Sequence, residues 1–234
     1  MTAMQLDLNC DLGEGCAGDA DLMPLITSAN VACGFHAGDA LMARDTLFAA
    51  RQHGVQVGAH PSFPDRDHFG RRELQRAPED IFADCVYQIG ALVGLGRAQG
   101  MELSHVKPHG ALYNMACRDD GYARPVIAAA RLFKLKLLGL PGSRLEILSQ
   151  GQCEFVPEGY ADRRYLPDDS LVPRSRADAM VADPAEAVRQ AEWLLRESGI
   201  RTLCVHGDNP QALAFVSELR QALTARGIEI RAFA

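Results

Sequence analysis

One rhythm narrows the possible folds more than any other feature: short apolar runs alternate with longer amphipathic stretches along the whole chain. The runs at 5–9, 29–32, 56–59, 105–107, 136–140, 154–156, 202–205 and 229–232 have the length of strands. The stretches at 40–52, 78–99, 122–133, 184–197 and 210–226 read as helices. Pro78, Pro184 and Pro210 stand near helix starts, where a missing N–H costs nothing. Gly54, Gly100, Gly199 and Gly227 follow helix ends, where a glycine closes the last turn. Strand, helix and strand repeated with short connections predict an α/β fold with a parallel sheet and right-handed crossovers. Seven or eight such units in 234 residues close into a (β/α) barrel. A doubly wound open sheet is the alternative, and periodicity does not separate the two. No repeat or linker interrupts the sequence, so 1–234 is expected to form one domain.

Polar residues fall where such a barrel would use them. Six of the eight apolar runs lead directly into a polar cluster: Asn9, Asp11 and Glu14 after the first; Cys33, His36 and Asp39 after the second; His60 after the third. The fourth leads into Lys107 and His109, the sixth into Glu158, Asp162 and Arg163, and the seventh into His206 and Asp208. In a parallel barrel these strand ends share one rim, the rim on which active sites form. A single loop histidine carries little weight, but His36, His60, His109 and His206 form a group. His53, before Gly54, fits a favourable charge at a helix end, and His68 and His105 are read as structural. Trp193, on the helix at 184–197, is expected to anchor the core.

Three kinds of chemistry suit these side chains. Asp11, His36 and His60, with Asp7 or Asp208 in reserve, offer oxygen and nitrogen ligands for zinc or a similar divalent metal, although no tight motif spacing supports one. Asp11 or Glu14 with a histidine could activate water, with Lys107 stabilising a developing oxyanion. Cys10 or Cys33 could act as a nucleophile if its thiol pKa were lowered. The sequence contains no phosphate-binding G-x-x-x-x-G-K-[ST] loop, no G-x-G-x-x-G after a strand and no G-x-S-x-G. Any nucleotide dependence would therefore have to use a different kind of site or reside on another chain.

A formal net charge of −6 with scattered arginines argues against a nucleic-acid partner. No 18-residue apolar run suggests a membrane span, and the acidic start of the chain does not resemble a signal peptide. Seven cysteines without a C-x-x-C pair fit reduced thiols and a cytoplasmic location.

Long motifs then become recognisable: DLNCDLGEG (7–15), SANVACGFHAGD (28–39), GAHPSFPDRDHFGRR (58–72), YQIGAL (87–92), VKPHGALYN (106–114), ADRRYLPDDSLVPRS (161–175) and CVHGDNP (204–210). In content and order they resemble the LamB/YcsF family. The resemblance implies a seven-stranded (β/α) barrel of the glycoside hydrolase and polysaccharide deacetylase type. It also implies cleavage of 5-oxo-L-proline to L-glutamate coupled to hydrolysis of ATP with Mg2+, shared with 5-oxoprolinase subunits B and C. On that basis B and C would phosphorylate the lactam and this chain would hydrolyse the ring. Asp11 or Glu14 would serve as base, with His36 and His60 as metal ligands or proton shuttles. Lys107 and Arg163 would hold a substrate carboxylate or phosphate, and Asn9, His109, His206 and Asp208 would complete the binding rim. Two alternatives stay open: a stand-alone metal-dependent deacetylase or amidohydrolase, and a non-catalytic lactam-binding protein. The sequence departs from its relatives at Asp168-Asp169, where Asp-Gly is usual, and in a shorter connection between Arg174 and Thr202.

Overall fold

The computed structural model describes residues 4–16, 18–174, 176–207 and 211–233. Its strands are β1 (Gln5–Leu12), β2 (Ser28–Ala32), β3 (Gln56–His60), β4 (His105–Val106), β5 (Lys136–Gly139), β6 (Phe155–Tyr160), β7 (Thr202–Val205) and β8 (Glu229–Ile230). Strands β1 to β7 pair in parallel in chain order, and β7 returns to β1, so seven strands close the expected barrel. The open-sheet alternative is thereby excluded. The eighth strand is not a barrel stave. It pairs with β1 at Gln5 and Leu6 only. The carbonyls of Met4, Leu6 and Leu8, alternate residues on one edge, accept from Glu229, Arg231 and Thr27. β8 therefore continues the line of β2 along β1.

The helices are α1 (Asp19–Leu22), α2 (Ala40–His53), α3 (Pro78–Ala98), α4 (Gly110–Arg118), α5 (Asp120–Leu132), α6 (Arg144–Ser149), α7 (Pro184–Glu197) and α8 (Ala212–Ala225). Asp39 caps α2 by accepting from the Met42 N–H, and Gly54 ends it at φ 67°. α3 is long and apolar enough to cross a membrane, which the sequence reading did not anticipate. It lies along the barrel with Ile81, Cys85, Ile89 and Leu92 buried. α7 buries Ala187, Val188, Ala191 and Leu194, whereas Trp193 is 46% exposed and does not anchor the core.

Strand periodicity sorts the side chains. Leu6, Leu8, Cys10, Leu12, Val31, Val57, Val106, Leu203 and Val205 join the apolar cluster formed with the helices. The alternate residues turn inward and make a polar interior: Asp7, Asn9 and Asp11 from β1, Ser28 and Asn30 from β2, and Glu158 and Thr202 from β6 and β7. Leu138, Val156 and Phe233 form a separate small apolar cluster. Gly58 is forced by this interior, because a Cβ there would sit 2.2 Å from the His105 ring. In the turn at Asp168-Asp169, Asp169 adopts φ 62°, a left-handed conformation that Asp tolerates less well than Gly.

Candidate active site

The rim is assembled from the ends of β1, β2, β3, β4, β6 and β7. It opens into a cleft of about 970 Å³ lined by residues including Asp11, Glu14, His60, Lys107, His109, Arg163 and His206.

At the floor of the cleft lies Lys107, 1% exposed. Its ammonium contacts Glu158 Oε1 at 2.8 Å, Asp11 Oδ1 at 3.2 Å, Asn9 Oδ1 at 3.3 Å and Cys204 Sγ at 3.0 Å. Burial would lower its pKa, but Asp11, Cys204 and Glu158 raise it well above the usual value, so it stays a cation. Glu158 is in turn fixed by the hydroxyls of Tyr113 and Tyr160 and by the Asn9 amide. Three N–H groups with four partners leave Lys107 nothing for a substrate. Asn9 is likewise fully buried, engaged by Glu158, Thr202 and Asn30. Both residues were expected to meet substrate; here their polar groups are engaged within the floor of the cleft, which Lys107 also lines.

Above the floor stands the imidazole group. The His60 Nδ1–H donates to the Lys107 carbonyl at 2.7 Å, and the His109 Nε2–H donates to the Phe69 carbonyl at 2.9 Å. Because carbonyls only accept, the other nitrogens, His60 Nε2 and His109 Nδ1, face each other across 2.9 Å with their lone pairs. Either a proton or a metal cation must separate them. Glu14 Oε1 lies 2.9 Å from His36 Nε2, 3.5 Å from His109 Nδ1 and 3.9 Å from His60 Nε2. The His36 ring stacks on His109 at 3.8 Å, and its buried Nδ1 has no partner. Asp11 Oδ2 approaches His60 Nε2 at 3.3 Å. The metal set foreseen as Asp11, His36 and His60 is thus regrouped: Glu14, His36, His60 and His109 offer atoms within 4.8 Å of one another, and Asp11 sits beside them.

The electrostatics follow this packing. Burial, then the charge of Asp11, pushes Glu14 up to about 7. Burial would raise Asp11, but His60 and Lys107 hold it well below the carboxylate range. Burial would lower His60, yet the carboxylate of Asp11 raises it above its usual range. Burial and the neighbouring imidazoles push His36 down to about 2 and His109 well below its usual value. Cys10 is buried and raised well above the normal thiol range, and burial pushes Cys33 up to about 12. Neither thiol has the lowered pKa that a nucleophile needs.

On the facing wall, the His206 Nδ1–H donates to Asp162 at 2.8 Å, and the His206 backbone N–H donates to the same carboxylate at 3.0 Å. Burial would raise Asp162, but His206 keeps it ionised below the usual range. Asp11, Cys204 and His206 offer atoms within 4.8 Å of one another, so this pair reaches the Asp11 side of the cleft. Asp208, also expected on the rim, lies outside the described residues. Sequence reasoning placed Glu158 and Asp162 on the rim without giving either a role, and it left out Tyr113 and Tyr160. The inward alternation of Val156, Glu158 and Tyr160 along β6 was the available signal.

Fold and rim together define the class: a seven-stranded (β/α) barrel with an imidazole- and carboxylate-rich centre at the carboxyl ends of its strands. The same fold occurs in a family 4 carbohydrate esterase from Streptomyces lividans solved in complex with acetate (TM-score 0.59, 11% identity, covering 99% of this chain and 93% of that one). Within that class the chain belongs to the LamB/YcsF family, whose model matches residues 6–234. It is 44% identical over 245 residues to the A subunit of 5-oxoprolinase from Neisseria meningitidis serogroup C (strain 053442), covering 97% of this chain and 99% of the relative. It is 46% identical over 250 residues to the protein of that name from Methylococcus capsulatus, covering 98% and 96%. The crystal structure of a lactam utilization protein from Thermus thermophilus matches with TM-score 0.89 and 41% identity, covering 98% of this chain and all of that one.

Proposed function

We propose that this chain is the ring-opening component of an ATP-dependent 5-oxoprolinase, hydrolysing 5-oxo-L-proline to L-glutamate with partner subunits B and C. The relatives named as 5-oxoprolinase A subunits support the substrate and the shared assembly. One observation supports the hydrolytic role above the others: an ionised carboxylate, Asp11, and an aspartate-bound imidazole, His206, face one cleft within 4.8 Å. Asp11 takes the proton of the attacking water. His206 donates a proton to the departing ring nitrogen, and Asp162 stabilises the imidazolium and fixes its tautomer. Lys107 keeps Asp11 ionised from below. A five-membered lactam resists opening, so phosphorylation of its carbonyl oxygen by B and C, using Mg2+ and ATP, would supply the driving force. Departure of the ring nitrogen then leaves a γ-acyl phosphate, which a second water hydrolyses to glutamate and phosphate.

The opposed lone pairs of His60 and His109, with Glu14 beside them and the unpartnered Nδ1 of His36 behind, fit a divalent cation of the zinc type. Glu14, His60 and His109 would hold it, and it would lower the pKa of a bound water. Metal analysis of the purified chain should give about one equivalent, and His109→Ala should lose it. A metal-free wild-type chain after zinc addition rules this out.

Glutamate release from 5-oxoproline with Mg-ATP tests the reading, comparing this chain alone, B and C alone, and all three. Release from the full set alone is expected. Release by this chain without ATP would make it an independent amidohydrolase. If Asp11→Asn and His60→Ala each lose less than tenfold, the site assignment fails.

A further inference from the structure

Lys107 has no capacity left for a substrate anion, but another buried cation does. Arg163 begins the irregular segment after β6 and is 6% exposed on the cleft wall. Its Nη2 donates to the Val172 carbonyl at 2.6 Å, while its Nε is buried without any partner. A guanidinium carries five N–H donors. Among the described residues this one hydrogen bond leaves the other Nη hydrogens and Nε–H for something else. Among the described residues no carboxylate lies within ion-pair distance of Arg163. Its neighbour Asp162 is committed to His206. Arg118, another cleft arginine, is already neutralised by Glu73 at 2.6 Å. The charge of Arg174 adds to that of Arg163, and burial and this cation both lower the Arg163 pKa. The group is also rigidly presented. Gln190 of α7 donates to the carbonyls of Tyr160 at 2.7 Å and Arg163 at 2.8 Å.

We propose that Arg163 anchors the substrate's carboxylate and so makes the cleft selective for lactams that carry a carboxylate beside the ring nitrogen. This deepens the lactam-hydrolase reading and rests on it. A planar fork with open N–H groups matches a carboxylate in two-point contact, which a lysine would not reproduce. Arg163 and His206 line the same cleft, so an anchored ligand shares it with the proton donor. A neutral lactam would leave the buried Nε–H unsatisfied and would be rejected for that reason.

Calorimetric titration of the full chain with 5-oxoproline, with 2-pyrrolidinone (the same ring without the carboxylate) and with inorganic phosphate tests the inference. In the wild-type chain 5-oxoproline should bind about 10- to 100-fold tighter than 2-pyrrolidinone, the range of a charge-assisted contact. Arg163→Gln should bring that ratio to near one, by weakening 5-oxoproline and by relieving the penalty on 2-pyrrolidinone, and Arg163→Lys should restore part of it. A wild-type ratio near one overturns the inference without recourse to a variant and leaves the lactam reading standing. So does a ratio that survives in Arg163→Gln. If Arg163→Gln loses phosphate binding and keeps the lactam ratio, the guanidinium serves a phosphoryl group and the carboxylate assignment is overturned. Failure of both lactams to bind the wild type would sink the substrate reading and the inference with it.

Discussion

Lys107 is the residue on which the barrel floor depends. It is buried between Asp11 and Glu158, so removing its charge strands two carboxylates at the floor of the cleft. Lys107→Met should cost about 3–5 kcal/mol, because a broken buried pair leaves uncompensated charge. Urea unfolding would measure this, and adding Glu158→Gln should recover part of the loss. A double variant no more stable than Lys107→Met would mean that Glu158 is not the stranded charge. The site was partly legible at this scale. His36, His60, His109 and Asp11 stand out in the sequence because imidazoles and carboxylates follow apolar runs. Their partners were not legible. The sequence does not reveal that the Lys107 ammonium points down into the barrel, or that Asp162 clamps His206 from 44 residues away.

Among the elements, β3 and β4 show how closely the interior is filled. Gly58 faces His105 in register, and the His105 ring bonds Asn30 at 2.8 Å. Gly58→Ala forces a methyl group into that ring and should destabilise the protein by about 1–3 kcal/mol, as overpacking does. Thermal melting checks this, and an unchanged melting temperature would show that His105 moves aside at little cost. Strands and long helices were readable from period and from Pro and Gly punctuation. α4 was missed because it begins at Gly110, inside the VKPHGALYN motif, where no helix was read. Gly110 starts that helix at φ 54°, with a Cβ position 2.6 Å from the Gly70 carbonyl oxygen, so packing against the neighbouring loop decided the element. β1 also runs on to Leu12, past the end read at Asn9, because parallel partners on both edges hold it extended.

For the molecule as a whole, the barrel interior couples folding to pH. Asp7 is pushed up to about 6 by burial, against hydroxyl donors from Thr202, Thr27 and Ser28. A carboxyl whose folded pKa is raised from 3.8 contributes stability below about pH 4, and that contribution is lost as pH rises through 6. The wild-type stability relative to Asp7→Asn should therefore fall by on the order of 3 kcal/mol between pH 4 and 6. Urea titrations at several pH values measure the difference, and a flat difference would rule the effect out. The overall architecture was legible because a barrel needs only the strand–helix rhythm. The displaced role of β8 was not, since a two-residue pairing leaves no periodicity to read. The seam between β1 and β7 joins Asp7 to Thr202 and Cys10 to Val205, nearly the full length of the chain apart. Closing so long a loop costs entropy before any contact rewards it, so the seam should form after the folding barrier has been crossed. A mutation there is then felt as faster escape from the native state rather than slower arrival. Leu203→Ala should accelerate unfolding and leave the refolding rate nearly unchanged in stopped-flow traces. Slowed refolding would instead make the seam part of the nucleus. A late seam would make the lifetime of the closed rim a property of the two strands that carry Asp11 and lead into His206.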